Sequence, residues 1–325
     1  MARLLIEGFE NGGLTNAAVA VGSVATGVSG MVGTYCFDCT GAITGYVEFD
    51  TDTNRTRVYA SWYQRFNHAY GGMFGVFNET TRVVRARKYS NGIRATVGNS
   101  TSIIDTGDIG LTTGVTYQVE MFILLDSISG KVAIKVDGTE VANYIGDTTV
   151  GSTIFNKLRF GYQSENFWWG YSWIDNIVVD DSDWIGLDSK VMPLSPNGAG
   201  SSTLWTPSAG SNHECVDEIP ASGSDYIYTN ATGDLDLYTV PGISGASEVK
   251  CIQVEGVAVT EDSPTPTSVQ AAIRTGGTTY KSGSLTVPAT AAGVSNIWNQ
   301  NPGTSGDWTP EEVNDGLEIG FESAS

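Results

Sequence analysis

Residues 131–144, KVAIKVDGTEVANY, constrain the fold of this chain more than any other stretch. Val132, Ile134 and Val136 alternate with Lys131, Ala133 and Lys135, so one face is apolar and the other polar, as in a half-buried strand. Asp137-Gly138 then supplies a dipeptide that tolerates the positive φ angles of a tight turn, and Thr139–Tyr144 returns antiparallel to the first strand. An apolar strand, Tyr117–Leu125, precedes this hairpin, and Lys157–Tyr162 and Trp173–Asp180 follow it. The order predicts consecutive strands of a β-sandwich.

Composition extends that reading to the whole chain. Glycine is frequent (40 residues), Lys and Arg are scarce (17), and long apolar stripes of helical period are absent, which favours short strands joined by turns. The expected fold class is all-β, with two β-sandwich (jelly-roll) domains and one short helix near the C-terminus. Thr309-Pro310-Glu311-Glu312 marks that helix, with an N-cap Thr, a Pro at the first helical position and a Glu three residues after the cap. A length of 325 residues suits about two domains. The polar, turn-rich joint over residues 181–198 divides them into 1–187 and 188–325. In the second block, Lys250–Thr260, Thr267–Thr275, Gly283–Val287 and Leu317–Glu322 are strand candidates.

The formal charge is −19, unevenly spread: residues 1–185 carry 13 basic and 19 acidic side chains, net −6, and residues 186–325 carry 4 and 17, net −13. Such an excess repels phosphate backbones and anionic membranes and argues against a nucleic-acid partner. Arg82, Arg85, Arg87, Lys88 and Arg94 are the exception, a basic run with no acidic residue between them. The opening Met1–Ile6 runs straight into Glu7 and reads as a first strand, so a signal peptide is not expected. Ala17–Gly33 is uncharged, but four glycines interrupt its 17 residues, so strand and loop are expected there rather than membrane insertion. Of the four cysteines, Cys36 and Cys39 form a lone C-x-x-C without a second pair or a nearby His, and read as buried thiols rather than metal ligands.

The order of apolar strand, G-K-V-x-I-K-V-D-G-x-x-V hairpin, L-R-F-G and W-I-D-N-I-V-V-D resembles the last strands of a laminin-G-like or concanavalin-A-like jelly roll. Pro193–Glu218, Ala271–Tyr280 and Ile297–Glu322 resemble a C-terminal β module that recurs in structural proteins of tailed bacteriophages. There it follows a laminin-G-like domain opening on a G-F-E strand, as Gly8-Phe9-Glu10 does here. The resemblance implies a virion protein, of head decoration, tail, tip or fibre, made in the host cytoplasm and carried on the particle surface. The partners it implies are other virion proteins, further copies of itself with a trimer favoured, and host-surface glycan.

The same sandwich carries glycan-degrading enzymes, so catalysis is the competing class. Glycosidases need two carboxylates about 5 to 9.5 Å apart, and no E-x-D-x-E run places such a pair on one strand face. No G-x-S-x-G elbow is present, and the two histidines, His68 and His213, fall in different domains. The expectation is a non-enzyme without a cofactor. Asp50, Asp52 and Asn54 resemble the opening of a calcium loop, but Arg55 and Ser61 occupy the positions that need Gly and Glu. A sandwich-edge calcium site and a solvated turn remain the two readings of that segment.

Aromatic residues supply the candidate contacts. Tyr63, Arg65 and His68 lie on one strand and its turn, and Tyr162, Trp168 and Trp169 on another. Exposed rings beside planar donors stack on sugars, while large rings equally fill cores and subunit interfaces. Arg82, Arg85, Arg87, Lys88 and Arg94 read either as a solvated strand face or as an assembly contact for an acidic neighbour.

Overall fold

The computed structural model describes residues 3–9, 17–28, 31, 33–39, 45–98, 101–161, 172–219, 221–260 and 266–325. The chain forms two compact units, Met1–Met192 and Pro193–Ser325. The division falls five residues beyond the joint expected at 187/188, because residues 184–191 are bonded to the first unit.

The first unit is built from β1 (Arg3–Glu7), β2 (Val19–Val21), β3 (Ser23–Thr26), β4 (Tyr35–Asp38), β5 (Tyr46–Arg55), β6 (Arg57–Phe66), β7 (Tyr70–Asn78) and β8 (Thr81–Tyr89). There follow β9 (Gly92–Val97), β10 (Thr101–Asp105), β11 (Thr116–Leu124), β12 (Gly130–Val136), β13 (Thr139–Gly146), β14 (Phe155–Gly161) and β15 (Ser172–Asp180). Two antiparallel sheets stack as a jelly-roll sandwich. One, of eight strands, runs β13-β12-β11-β6-β15-β4-β3 with β1 also on β15, and the other runs β10-β9-β8-β7-β14-β5-β2. The uncharged Ala17–Gly33 stretch supplies β2 and β3, and no described helix is long and apolar enough to cross a membrane.

The expected hairpin is β12–β13. Val136 faces Thr139, and Asp137 and Gly138 have φ of 47° and 76°, the two positive values a two-residue turn of this hand requires. Inward residues of both sheets meet around Trp62, Phe74 and Phe160, all fully buried, with ring centroids 4.7–5.6 Å apart. The W-I-D-N-I-V-V-D segment is β15, at the centre of the larger sheet. Its last residue, Asp180, holds Arg3 of β1 in a buried ion pair at 2.9 Å, tying the first strand to the last. A bulge between Asp175 and Val178 leaves Asn176 at a φ of 49°, and its side-chain oxygen accepts a bond from the Val191 amide.

Around β11 the outward face of the larger sheet is covered. Gln118 and Glu120, on the polar side of β11, grip the segment after β15. The Gly186 amide donates to Glu120 Oε1 (2.9 Å), Gln118 Nε2 donates to the Gly186 carbonyl (2.9 Å), and the Asp188 amide donates to Gln118 Oε1 (2.9 Å). Trp184 adds an edge contact to Tyr59 (5.5 Å) and lies under the Lys135 ammonium (3.9 Å).

The second unit has β16 (Gly198–Thr203), β17 (Thr206–Pro207), β18 (Ile227–Tyr228), β19 (Leu235–Thr239), β20 (Ile252–Ala258) and β21 (Ser268–Thr275). Then come β22 (Thr278–Lys281), β23 (Leu285–Thr286), β24 (Ala292–Trp298), α1 (Pro310–Asn314) and β25 (Glu318–Ala324). A six-stranded sheet, β16-β19-β25-β21-β22 with β23 on β21, is accompanied by the β20–β24 ribbon, a lopsided sandwich. Val254 of the ribbon shares a core with Ala271, Ile273, Trp298 and Trp308. The helix begins as expected: Thr309 Oγ1 accepts from the Glu312 amide (3.2 Å) while Glu312 Oε2 accepts from the Thr309 amide (2.9 Å). Asp236, fully buried, accepts from the Trp205 amide (3.1 Å), Asn212 Nδ2 (2.6 Å) and the Tyr238 hydroxyl (2.7 Å). Burial, and then the neighbouring carboxylate, push the Tyr238 hydroxyl far above the usual tyrosine range.

Candidate functional site

The seven-stranded sheet turns Val84, Ala86, Ala95, Val97, Phe74, Val76, Leu158 and Phe160 into the core. Strand alternation therefore places Arg85 and Arg87 of β8, Arg94 and Thr96 of β9, Gly75 of β7 and Arg159 of β14 on the opposite face. Register assembles them into rows. One row runs Glu48–Arg159–Gly75–Arg85–Thr96, and a second runs Gly72–Arg87–Arg94–Asp105. Neighbours in a row stand about 5 Å apart, so four strands bring together cations separated by up to 74 residues in sequence.

Aromatic rings hold several of these guanidinium groups. The Arg94 group lies 3.4 Å from the Tyr89 ring centroid and that of Arg87 5.7 Å from it. Tyr70 meets Tyr89 edge-on at 5.1 Å, and His68 packs against Tyr70 at 5.8 Å. At the other end of the face, Arg159 lies 4.1 Å from Phe77 and 4.9 Å from Tyr46. A ring orients a guanidinium without neutralising it.

The carboxylates of these rows are already engaged. Glu48, 2 % exposed, receives Lys157 (3.1 Å) and Arg159, while Asp50 receives Lys157 (3.0 Å). Hydrogen bonds to Asp50 and Glu48 hold the Lys157 ammonium above the usual lysine range. Asp105 pairs with Arg94 at 2.7 Å, and the Gly107 amide, then Arg94, keep it below the usual carboxylate range. By contrast, the Thr96 hydroxyl and Arg87 Nε, in the middle of the face, are buried with no hydrogen-bond partner among the described residues. Thr96 is 6 % exposed, and an unpaired hydroxyl so buried is costly.

The basic run expected as one contact is split by strand parity. Arg85, Arg87 and Arg94 belong to the face. Lys88 does not: it is 1 % exposed on the core side, over the Phe66 ring at 5.7 Å, with its ammonium donating to the carbonyls of Ala69 and Ser90. Burial pulls its ammonium below the usual lysine range. Arg82 is likewise buried and donates from Nε to the Gly98 carbonyl at 2.9 Å. Neither is a surface contact, because a strand carrying alternate core residues turns every second side chain inward.

The aromatic candidates are divided as well. Tyr63 is half-buried on the other sheet beside the docked 184–191 segment, its hydroxyl 3.4 Å from Gln118. Desolvation, then the charges of Asp188, Asp137 and Asp175, raise its pKa. Arg65 shares that strand and parity, opposite Thr116 and Trp173. His68 instead joins the arginine face through Tyr70. Tyr162, Trp168 and Trp169 lie outside the described residues. Sequence reasoning misses Tyr70, Tyr89, Thr96 and Arg159, although Arg159 in the L-R-F-G motif has the alternation that marks an outward residue.

Cys36 and Cys39 are buried and not joined in a disulfide, and burial, then the Asp38 charge, push the Cys39 thiol far above its usual range. Among the described residues no three His, Cys, Asp or Glu side chains gather to hold a metal. At the calcium-like segment, the Asp50 carboxylate is met by the Lys157 ammonium.

No protein-family model matches the chain, and no curated protein does. Among solved structures, the chain is similar to the receptor binding domain of botulinum neurotoxin D, with TM-score 0.41 and 11 % identity over 57 % of this chain and 50 % of that one. The chain thus spans about half the length of that domain. It is also similar to alginate lyase Aly36B, with TM-score 0.36 and 17 % identity over 56 % of this chain and 98 % of that one. A further likeness is to alginate lyase AlgAT5 from Polysaccharide Lyase family 7, with TM-score 0.33 and 16 % identity over 46 % and 78 %.

Proposed function

We propose that this protein is a non-catalytic binding and assembly component of a tailed-phage particle surface, which grips host glycan with the arginine face of its first sandwich. One observation carries the binding half of the reading: among the described residues five cations, Arg85, Arg87, Arg94, Lys157 and Arg159, stand with three carboxylates on one sheet face of a chain whose net charge is −19. A local excess of positive charge on an acidic protein favours a specific anionic contact over general adhesion. The virion setting rests on the sequence resemblance of residues 193–322.

Glycan cleavage is the competing reading, and two features weigh against it. Glu48, Asp50 and Asp105 are engaged by cations rather than poised as acid and base. His68 Nδ1 accepts the Tyr70 amide at 3.2 Å, so that nitrogen is engaged within its own turn. The test is incubation of the full chain with a panel of bacterial capsular and cell-wall polysaccharides, reading retention and polymer length together. Retention without shortening is expected. Shortening that one substitution on the face abolishes would overturn the reading in favour of an enzyme. Gold-labelled antibody against the chain should decorate purified particles, and undecorated particles would remove the virion setting.

A further inference from the structure

Resting on the glycan-binding reading above, we infer that the ligand of this face is a polyuronate: an acidic polysaccharide that carries a carboxylate on its sugar rings and lies across β9, β8, β7 and β14. Arg87 and Arg94, directly opposite each other, place two guanidinium groups side by side, with Arg94 also bonded to Asp105 at 2.7 Å. Arg159 stands two strands from Arg85, with Gly75 between them. Anionic groups spaced along a polymer fit such a ladder, because each planar guanidinium presents paired donors to a carboxylate.

Glycine shapes the floor. Gly72 and Gly75 are the β7 partners of Arg87 and Arg85, so the strand between the two cationic ends carries no side chain at either row. Both glycines are buried, so the floor is backbone lying close beneath the flanking side chains, with Arg87 and Arg94 over Tyr89 on one side and Arg159 between Phe77 and Tyr46 on the other. Rings at both ends suit the apolar faces of sugars.

The buried, unpartnered Thr96 hydroxyl and Arg87 Nε distinguish a glycan from a folded acidic protein, such as the acidic second unit of another copy. A protein surface pairs with exposed charges at the rim, whereas these two atoms have almost no accessible surface and lie beneath it. Thr96 lies directly opposite Arg85, so one hydroxyl of a uronate ring is placed to pair with Thr96 while the ring carboxylate meets the arginines. Long-range repulsion from the acidic chain acts on a nucleic acid and a polyuronate alike, so the choice between them rests on the local cations and on the Thr96 hydroxyl rather than on net charge.

The test uses the full chain with three polyuronates of different linkage (polygalacturonate, alginate and hyaluronan), fully methyl-esterified polygalacturonate, and polyglutamate. Calorimetric titration at low salt should give binding to at least one polyuronate, at least tenfold weaker binding to the ester, and polyglutamate weaker than the polyuronate. Arg87→Gln and Arg94→Gln should each weaken polyuronate binding about tenfold or more, as expected for a lost hydrogen bond to a charged group. Thr96→Val, nearly isosteric, should weaken it about threefold without lowering the thermal midpoint, which keeps the test valid if an arginine variant unfolds. Polyglutamate bound as tightly as the best polyuronate would overturn the inference in favour of an acidic peptide. Equal binding of ester and acid, indifferent to Arg87→Gln, would overturn it while leaving neutral-glycan binding intact. No retention of any polyuronate would overturn it outright, and silence across the capsule panel as well would remove the glycan-binding reading.

Discussion

Removing Arg3 should destabilise the first sandwich by about 3 kcal/mol. The Arg3 and Asp180 side chains are 4 % and 0 % exposed, and their ion pair at 2.9 Å joins residues 177 positions apart. Breaking a buried pair from one side costs about 3–5 kcal/mol, because the remaining charge stays desolvated and unpaired. Asp180 retains three other donors, the Ser182 amide (2.7 Å), the Ser182 hydroxyl (2.7 Å) and the Asp183 amide (3.1 Å), which places Arg3→Met at the lower end. Urea unfolding followed by tryptophan fluorescence reads the effect. With a slope of about 2–3 kcal/mol per molar urea for a unit of this size, the midpoint of its transition should fall by about 1–1.5 M. The double variant Arg3→Met, Asp180→Asn should recover part of the loss, since the stranded charge is gone. A loss below about 1 kcal/mol for Arg3→Met, with no recovery in the double variant, would refute the claim that this pair closes the sandwich.

Three further outcomes follow from the same physics. Tyr238→Phe should cost the second unit about 1.5–3 kcal/mol by urea unfolding, because the Tyr238 hydroxyl donates to the buried Asp236 carboxylate at 2.7 Å; an unchanged midpoint would contradict it. Lys88 has a folded pKa below its ordinary 10.5, so between the two values the unfolded chain binds the extra proton and stability rises with pH. The stability of the wild type relative to Lys88→Met should therefore climb as pH rises towards 10.5, and a flat difference would mean that the ammonium is solvated. Limited subtilisin digestion should cut within residues 193–197 and spare 184–191, and Gln118→Ala with Asn176→Ala should open the spared segment; early cleavage at 184–191 in the wild type would contradict its docking.

Features set by near neighbours along the chain are legible in the sequence itself. Asp137-Gly138 specifies its turn because two positive φ angles are a local demand, and Thr309-Pro310-Glu311-Glu312 specifies its helix start because the capping bonds span only three residues. The alternation around Lys88 is equally local: Val84 and Ala86 share its parity and point inward, so its burial is written in the strand and obscured only by the run of like charges. What covers a polar strand face is not local. Gln118 and Glu120 alternate with core residues along their strand, and only the chain 66 and 68 residues later reveals that they bind a backbone segment. The arginine face presents the same obstacle, since Arg159 reaches the row of Arg85 only through β7, a relation set by sheet order.

The central claim, that a polyanionic glycan is held uncut on the arginine face, is tested most directly by hydroxyl-radical footprinting of the full chain with and without the best-bound polyuronate. Tyr70 and Tyr89 flank the grip, while Tyr226 and Tyr228, 49 % and 48 % exposed in the second unit, serve as internal references. Oxidation of Tyr70 and Tyr89 should fall several-fold with that of Tyr226 and Tyr228 unchanged, and the polymer should keep its length. Unchanged oxidation at Tyr70 and Tyr89, protection confined to the second unit, or a shortened polymer would contradict the account.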